Sequence, residues 1–156
     1  MDSYLIPKII HYCWFGNTPI PKKIKNQIDK WKAILNDYTF IEWNEKNFQI
    51  NNCCDFVKKA YKEKKWAFVS DYVRMQALYE YGGIYLDTDV IVLKKFDAYL
   101  NENMFISFES ENSLCTAIIG SKTHNILIYN FLKLYLSFNF DKNNLKPNSE
   151  LLYNYL

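Results

Sequence analysis

The chain has 156 residues, enough for one domain with a real core, and it is 49% apolar and 18% aromatic, which excludes a disordered or collagen-like protein. A net charge of +2 gives no case for a nucleic-acid partner. The four cysteines, Cys13, Cys53, Cys54 and Cys115, show no CxxC spacing, and neighbours such as Cys53 and Cys54 rarely bridge, so reduced, buried thiols of a cytosolic protein are expected.

The opening MDSYLIPK lacks the apolar core of a signal peptide, and no apolar run approaches a membrane span. Residues 8–15 (KIIHYCWF) then read as a first, buried parallel strand. After a loop at Gly16-Asn17-Thr18-Pro19, Pro21 suits the first turn of a helix. Ile24, Ile28, Trp31 and Leu35 recur at helical spacing and carry that helix to about Leu35. Residues 38–43 read as a second strand, rich in aromatic and β-branched side chains. Phe56, Ala60 and Tyr61 suggest another helix before Trp66. Lysines crowd 22–32 and 58–65; they read as solvated helix faces, with an anionic membrane surface as the alternative.

Residues 70–92 (SDYVRMQALYEYGGIYLDTDVIV) organise the rest. They read as a helix, a glycine stop and an apolar strand running into two carboxylates. Asp71 and Arg74 share one helix face. Gly82-Gly83 can take the left-handed conformation that closes the helix. Were the chain extended, Tyr85, Asp87 and Asp89 would point to one side, and two crowded carboxylates repel unless a cation sits between them. Oxygen ligands suit magnesium, manganese or calcium, and no nearby His or Cys favours zinc. Beyond the motif, residues 90–93 continue as a strand, Lys94-Lys95-Phe96-Asp97 turns, and 105–109 and 115–120 read as two further strands. Thr123 caps a final helix in which Ile126, Leu127, Tyr129, Phe131 and Leu134 leave almost no polar face, so it is either buried or awaits a partner. Strands alternating with helices imply a parallel αβ sheet.

The order Ser70, Asp71, Arg74, then Gly82-Gly83-Ile84-Tyr85-Leu86-Asp87-Thr88-Asp89 resembles the DXD signature of GT-A glycosyltransferases. Glycosyltransferase family 32 (yeast mannosyltransferase-like and bacterial capsule-synthesis enzymes) is most similar, and the glucosylating clostridial toxins more distantly so. The opening Ile6-Pro7-Lys8-Ile9-Ile10-His11, with Trp14-Phe15-Gly16, also looks like the family's first strand. The likeness covers roughly residues 6–135 and is specific because two motifs occur at that separation.

The resemblance implies one GT-A domain over residues 1–156, a Rossmann-like nucleotide-binding α/β fold with a mainly parallel central sheet. It implies a metal-dependent, retaining glycosyltransferase that moves sugar from a nucleotide sugar, a UDP-sugar first, to a saccharide or lipid-linked saccharide. Capsular polysaccharide or lipopolysaccharide assembly is the implied setting. Such an enzyme would work in the cytoplasm, peripherally docked at the inner membrane face if at all. Asp71, Arg74, Asp87 and Asp89 form the implied catalytic set, with Asp89 the direct ligand of Mn2+ or Mg2+ and Asp87 acting on the ribose or through a metal-bound water. Asp71 and Arg74 would hold donor hydroxyls and a phosphate or ring oxygen, Trp14 would stack on the base, and Ser70 and Tyr85 would complete the nucleotide-sugar site. Members usually run on through a His and a Ser-Trp, so the chain reads as truncated at its C-terminus.

Each of these residues also has a plain structural reading. DTD can be an Asx turn ending a strand, Asp71–Arg74 an i,i+3 helix pair worth ~0.2–0.5 kcal/mol, and Trp14 and Tyr85 core aromatics. His11 and His124 are read as satisfied structural residues. No GxSxG, Cys–His pairing or phosphate loop appears. Two other functions stay open. One is a non-catalytic or incomplete nucleotide-sugar-binding fragment. The other is an aspartate-dependent phosphotransferase, whose one tempting lysine is Lys122.

Overall fold

The computed structural model describes residues 5–155. The first four residues, and Leu156 at the chain's end, lie outside the described residues. The elements in chain order are β1 (Ile9–Cys13), α1 (Lys22–Ile34), β2 (Thr39–Trp43), α2 (Asp55–Lys62), α3 (Trp66–Tyr81), β3 (Gly83–Leu86), β4 (Met104–Ser110), β5 (Ser113–Ser121), α4 (Ile126–Leu134) and α5 (Asn148–Tyr155).

The sheet runs β2-β1-β3-β5-β4. β1 is parallel to both β2 and β3, while β5 lies antiparallel to β3 and β4 antiparallel to β5. Hence the half that carries the first motif is parallel, as expected, and a β4–β5 hairpin finishes the sheet on the other side. No α-helix follows β3; the chain instead crosses to the far edge as β4, which points the same way as β3, and β5 returns antiparallel between them.

Alternation along the strands divides the core. Ile10, Tyr12, Ile84 and Leu86 join Ile28 and Trp31 of α1, and Leu35 just past its end, on one face. Cys13 and Tyr85 point the other way, into a core with Val69, Val73, Leu78, Ile128, Phe131 and Leu152 from α3, α4 and α5. The crossover from β1 to β2 therefore uses one face and the return to β3 uses the opposite face. The chain reverses its direction of winding between β1 and β3, which leaves a crevice at their carboxyl ends.

Gly82 and Gly83 hold φ of +64° and +101°. A Cβ on Gly83 would come within 2.6 Å of the Ile9 carbonyl oxygen, so the pair is required where α3 turns into β3. His11 fastens this corner. Its ring accepts from Trp43 Nε1 at Nδ1 (3.1 Å) and donates from Nε2 to the Gly82 carbonyl (2.7 Å). Burial lowers its pKa to about 4, so the ring is neutral. As read from sequence, it is structural.

Two local expectations are corrected. Residues 90–93 do not continue as a strand: the ladder with β5 ends near Leu86 and Asp87, and Val90 N–H turns back to the Asp87 carbonyl at 3.0 Å. Thr123 does not cap α4; Asn125 does, its side chain accepting from the Leu127 N–H at 2.9 Å. Of the two states open for α4, full burial does not hold: Ile128 and Phe131 are buried while Ile126, Leu127 and Tyr129 stay exposed. All four cysteines are free, Cys13 alone fully buried. Among the described residues no helix is long and apolar enough to cross a membrane.

Candidate active site

A cavity of about 400 Å³ opens at the crevice between β1 and β3. Cys13, Trp14 and Phe15 line it from the end of β1, Trp66, Ser70 and Arg74 from α3, and Tyr85, Asp87, Thr88 and Asp89 from β3 and the turn beyond. Six of the seven residues singled out from sequence thus meet in one place. Asp71 is the exception.

Arg74 is the hub, buried to 4% exposure. Its Nε donates to the Ser70 carbonyl (3.3 Å) and Nη1 to the Thr116 carbonyl (2.6 Å). Nη2 pairs with Asp71 Oδ1 at 3.0 Å and Asp87 Oδ1 at 3.1 Å. The guanidinium also lies over the Tyr85 ring, 4.4 Å from its centroid, a cation–π contact in a dry setting. Such a group is largely occupied by the protein itself. Beside the implied grip on donor phosphate, this geometry gives Arg74 a positioning role toward Asp87.

Asp71 stands behind Arg74, away from the cavity. Burial raises its pKa, against the lowering pull of Arg74 and of the Asn148 N–H. That N–H donates to Asp71 Oδ2 (3.3 Å), and the Asn148 amide donates to the Asp71 carbonyl (3.1 Å). Asp71 therefore orients Arg74 from outside the cavity lining. Asn148 escaped sequence reasoning because its partner is 77 positions away.

Asp87 and Asp89 are unlike each other. Tyr85 donates to Asp87 Oδ1 (2.9 Å), the same oxygen that Arg74 holds. Its other oxygen has no described partner. Asp89 sits exposed in the turn and makes no hydrogen bond or ion pair among the described residues. The turn at Asp87 removes the extended run that would have set both carboxylates on one side, and Arg74 already offsets Asp87. Mutual repulsion is smaller than an extended strand implied.

Trp14 is half-buried at the end of β1, its Nε1 donating to the Thr18 carbonyl at 2.9 Å. It forms part of the cavity wall rather than the core. Trp66 supplies a second indole that the sequence reading missed, although it precedes Ser70 by four and so shares its helix face. Its ring lies against Gly16, where a Cβ would approach within 3.0 Å. Gly16 has φ of +107° and its N–H donates to Glu45 at 2.6 Å. Cys13 lines the cavity as a thiol whose pKa burial pushes up to about 12, so it does not act as a thiolate nucleophile.

One guanidinium against three carboxylates leaves the site net negative. Among the described residues, no group of three or more His, Cys, Asp and Glu forms a ready metal cage. Two carboxylates with free oxygens fit instead a hard divalent cation that shares its coordination with substrate phosphates. Lys122 is excluded as a partner of Asp87. It follows Ser121, which pairs with Gly83 at the opposite end of β3, roughly 13 Å away at ~3.3 Å per residue. The phosphotransferase reading falls with it.

A mixed αβ sheet with a negative cleft at its winding reversal, ringed by indoles, is the GT-A type of nucleotide-sugar fold. The chain matches the sequence profile of the family described as glycosyltransferase sugar-binding region containing DXD motif over residues 21–106, and it belongs to that family. Among proteins similar to it, inositol phosphoceramide mannosyltransferase 3 of Schizosaccharomyces pombe is 28% identical over 131 residues, covering 81% of this chain and 36% of that protein. Uncharacterized glycosyltransferase L373 of Acanthamoeba polyphaga mimivirus is 28% identical over 142 residues, covering 85% and 57%. The chain thus spans about a third to just over half the length of these relatives. The solved PaToxG glycosyltransferase superposes with a TM-score of 0.70 over 95% of this chain and 66% of its own, at 23% identity, which supports the fold.

Proposed function

We propose that this chain is the donor-binding domain of a metal-dependent, retaining glycosyltransferase that passes sugar from a nucleotide sugar to a saccharide or lipid-linked saccharide. The observation that carries the reading is the meeting of Trp14, Ser70, Arg74, Tyr85, Asp87 and Asp89 around one cavity at the carboxyl ends of β1 and β3. Trp14 and Trp66 offer flat apolar surfaces for the base. Asp87, oriented by Arg74 and Tyr85, presents one free oxygen to a ribose hydroxyl or metal-bound water. Asp89 offers an uncommitted carboxylate to manganese or magnesium. When bound, such a cation neutralises the diphosphate as its bond to the sugar weakens.

The retaining outcome is carried over from the resemblance. A UDP-sugar is the first donor to try. The fungal relative is named a mannosyltransferase of inositol phosphoceramide, which brings mannose and a lipid acceptor into the same panel as capsular and lipopolysaccharide acceptors. A cytoplasmic site of action is part of the proposal. Isothermal titration with manganese should show binding of UDP, GDP or one of their sugars. If none of them binds, the reading fails.

A further inference from the structure

The segment after Asp89 has an unusual surface. Val90 is tied to α1, its carbonyl accepting from Gln27 Nε2 (2.9 Å) and Trp31 Nε1 (2.8 Å). Alternation then sends Val92 into the core at 7% exposure and turns Ile91 and Leu93 outward at 71% and 85%. Single exposed aliphatic residues are ordinary. Here two stand on one three-residue stretch that neighbouring side chains hold in place.

Cations surround them. Lys23, Gln27 and Lys30 follow at spacings of four and three on α1, so both lysines share the flank that Gln27 turns toward the segment. Both are exposed, and so is Lys94 beside Leu93. The acid of α1, Asp29, lies near the opposite flank. Asp37 is bound by Lys8 at 2.6 Å and Lys95 at 2.7 Å, and Asp97 by Lys8 at 3.3 Å, which offsets the nearby acids other than Asp89.

We infer that residues 90–94 dock the chain onto an anionic lipid bilayer, with Ile91 and Leu93 entering the boundary between headgroups and acyl chains, and Lys23, Lys30 and Lys94 over lipid phosphates. Aliphatic tips beside lysines are the chemistry of interfacial anchoring. A protein partner would instead call for aromatic anchors, and residues 90–94 carry none. Docking itself is independent of the sugar-transfer reading. Its consequence rests on that reading: Asp89 is two positions from Ile91, so the cleft would open where a lipid-linked acceptor resides.

Co-sedimentation of the full 156-residue chain with vesicles tests this. It should bind phosphatidylcholine vesicles containing a third phosphatidylglycerol, weakly bind pure phosphatidylcholine, and release in high salt. I91D/L93D should lose at least about tenfold in partitioning, and K23E/K30E roughly fivefold or more per lysine. Melting temperature and manganese-dependent nucleotide binding should stay as in the parent. I91S/L93S gives the same reading should the aspartates disturb folding. Equal partitioning to both vesicle types, or unchanged binding by a folded apolar-tip variant, overturns the proposal. Loss of nucleotide binding with intact vesicle binding would count against sugar transfer alone.

Discussion

The two aspartates of the DXD stretch sit two positions apart yet belong to different kinds of structure. Asp87 ends β3 inside a network with Tyr85, Arg74, Asp71 and Asn148, drawn from three separate elements and mostly buried. Asp89 lies in an exposed turn whose following residues face water. The buried half fixes positions before any ligand arrives. The exposed half keeps an unspent carboxylate. The contrast teaches that preorganisation and ligand capture can be assigned to neighbouring residues by where a strand stops.

The largest effect should come from the hub. Arg74→Leu removes the shared partner of Asp71 and Asp87, leaving two partly buried carboxylates uncompensated. A loss of about 3–5 kcal/mol is expected in urea unfolding, a magnitude typical of breaking a buried pair. Arg74→Lys should recover little of it, since an ammonium cannot reach Ser70, Thr116 and both carboxylates from one plane. If Arg74→Leu unfolds like the parent, the buried half is not held together in the way its geometry says.

Acid should separate the halves next. His11 is neutral in the fold with its pKa lowered from 6.5 to about 4. Between those values the unfolded chain binds a proton that the native corner excludes. Its contribution is full above pH 6.5 and lost as pH falls toward 4, roughly 3 kcal/mol in all. His11→Gln keeps an N–H toward the Gly82 carbonyl and removes the titration, so stability measured across that window should flatten. An unchanged slope would assign the acid sensitivity to other groups.

Asn148→Ala is the milder cut into the same network. It deletes one amide donor to the Asp71 carbonyl but leaves the backbone N–H to Asp71 Oδ2. It also removes a buried carbonyl oxygen that has no hydrogen-bond partner, which offsets part of the loss. About 0.5–1.5 kcal/mol should go in unfolding experiments. Nucleotide affinity should fall alongside it if Asp71 truly steadies Arg74 and, through it, Asp87.

Much of this was legible in the sequence, and the limits have physical causes. Gly82-Gly83, the apolar run into Asp87 and the helical periodicity of α1 are local signals, and they place α1, the end of α3 and β3 correctly. Residues 90–93 misled because Val-Ile-Val-Leu has strand chemistry whether or not a neighbour offers a ladder; here Gln27 and Trp31 side chains take that place. The sequence did not show how Asp71 is turned, because i,i+3 spacing shows that it touches Arg74 but not which of the two faces the cavity. Asn148 could not be found at all, since nothing local marks a contact made across the whole fold.

The smallest expected effect on folding is also the most informative about the site. Asp89 is exposed and without a described partner, and Arg74 already offsets Asp87, so Asp89→Ala should move stability by no more than about 0.5 kcal/mol. The slight gain that two repelling carboxylates would predict is largely removed by that pairing. Binding should respond differently. A ligand that binds only the native state raises the melting temperature by mass action, and manganese with the cognate nucleotide should do so for the parent. Asp89→Ala should lose that shift while its unliganded melting curve overlays the parent's. Asp87→Ala should lose the shift too, but with a lower starting stability, because Arg74 and Tyr85 give up a shared acceptor. Two variants with equal loss of ligand response and unequal loss of stability would bear out the division between the halves. Should Asp89→Ala keep the manganese-dependent shift, the exposed turn is only a turn, and the cation must be sought on other oxygens.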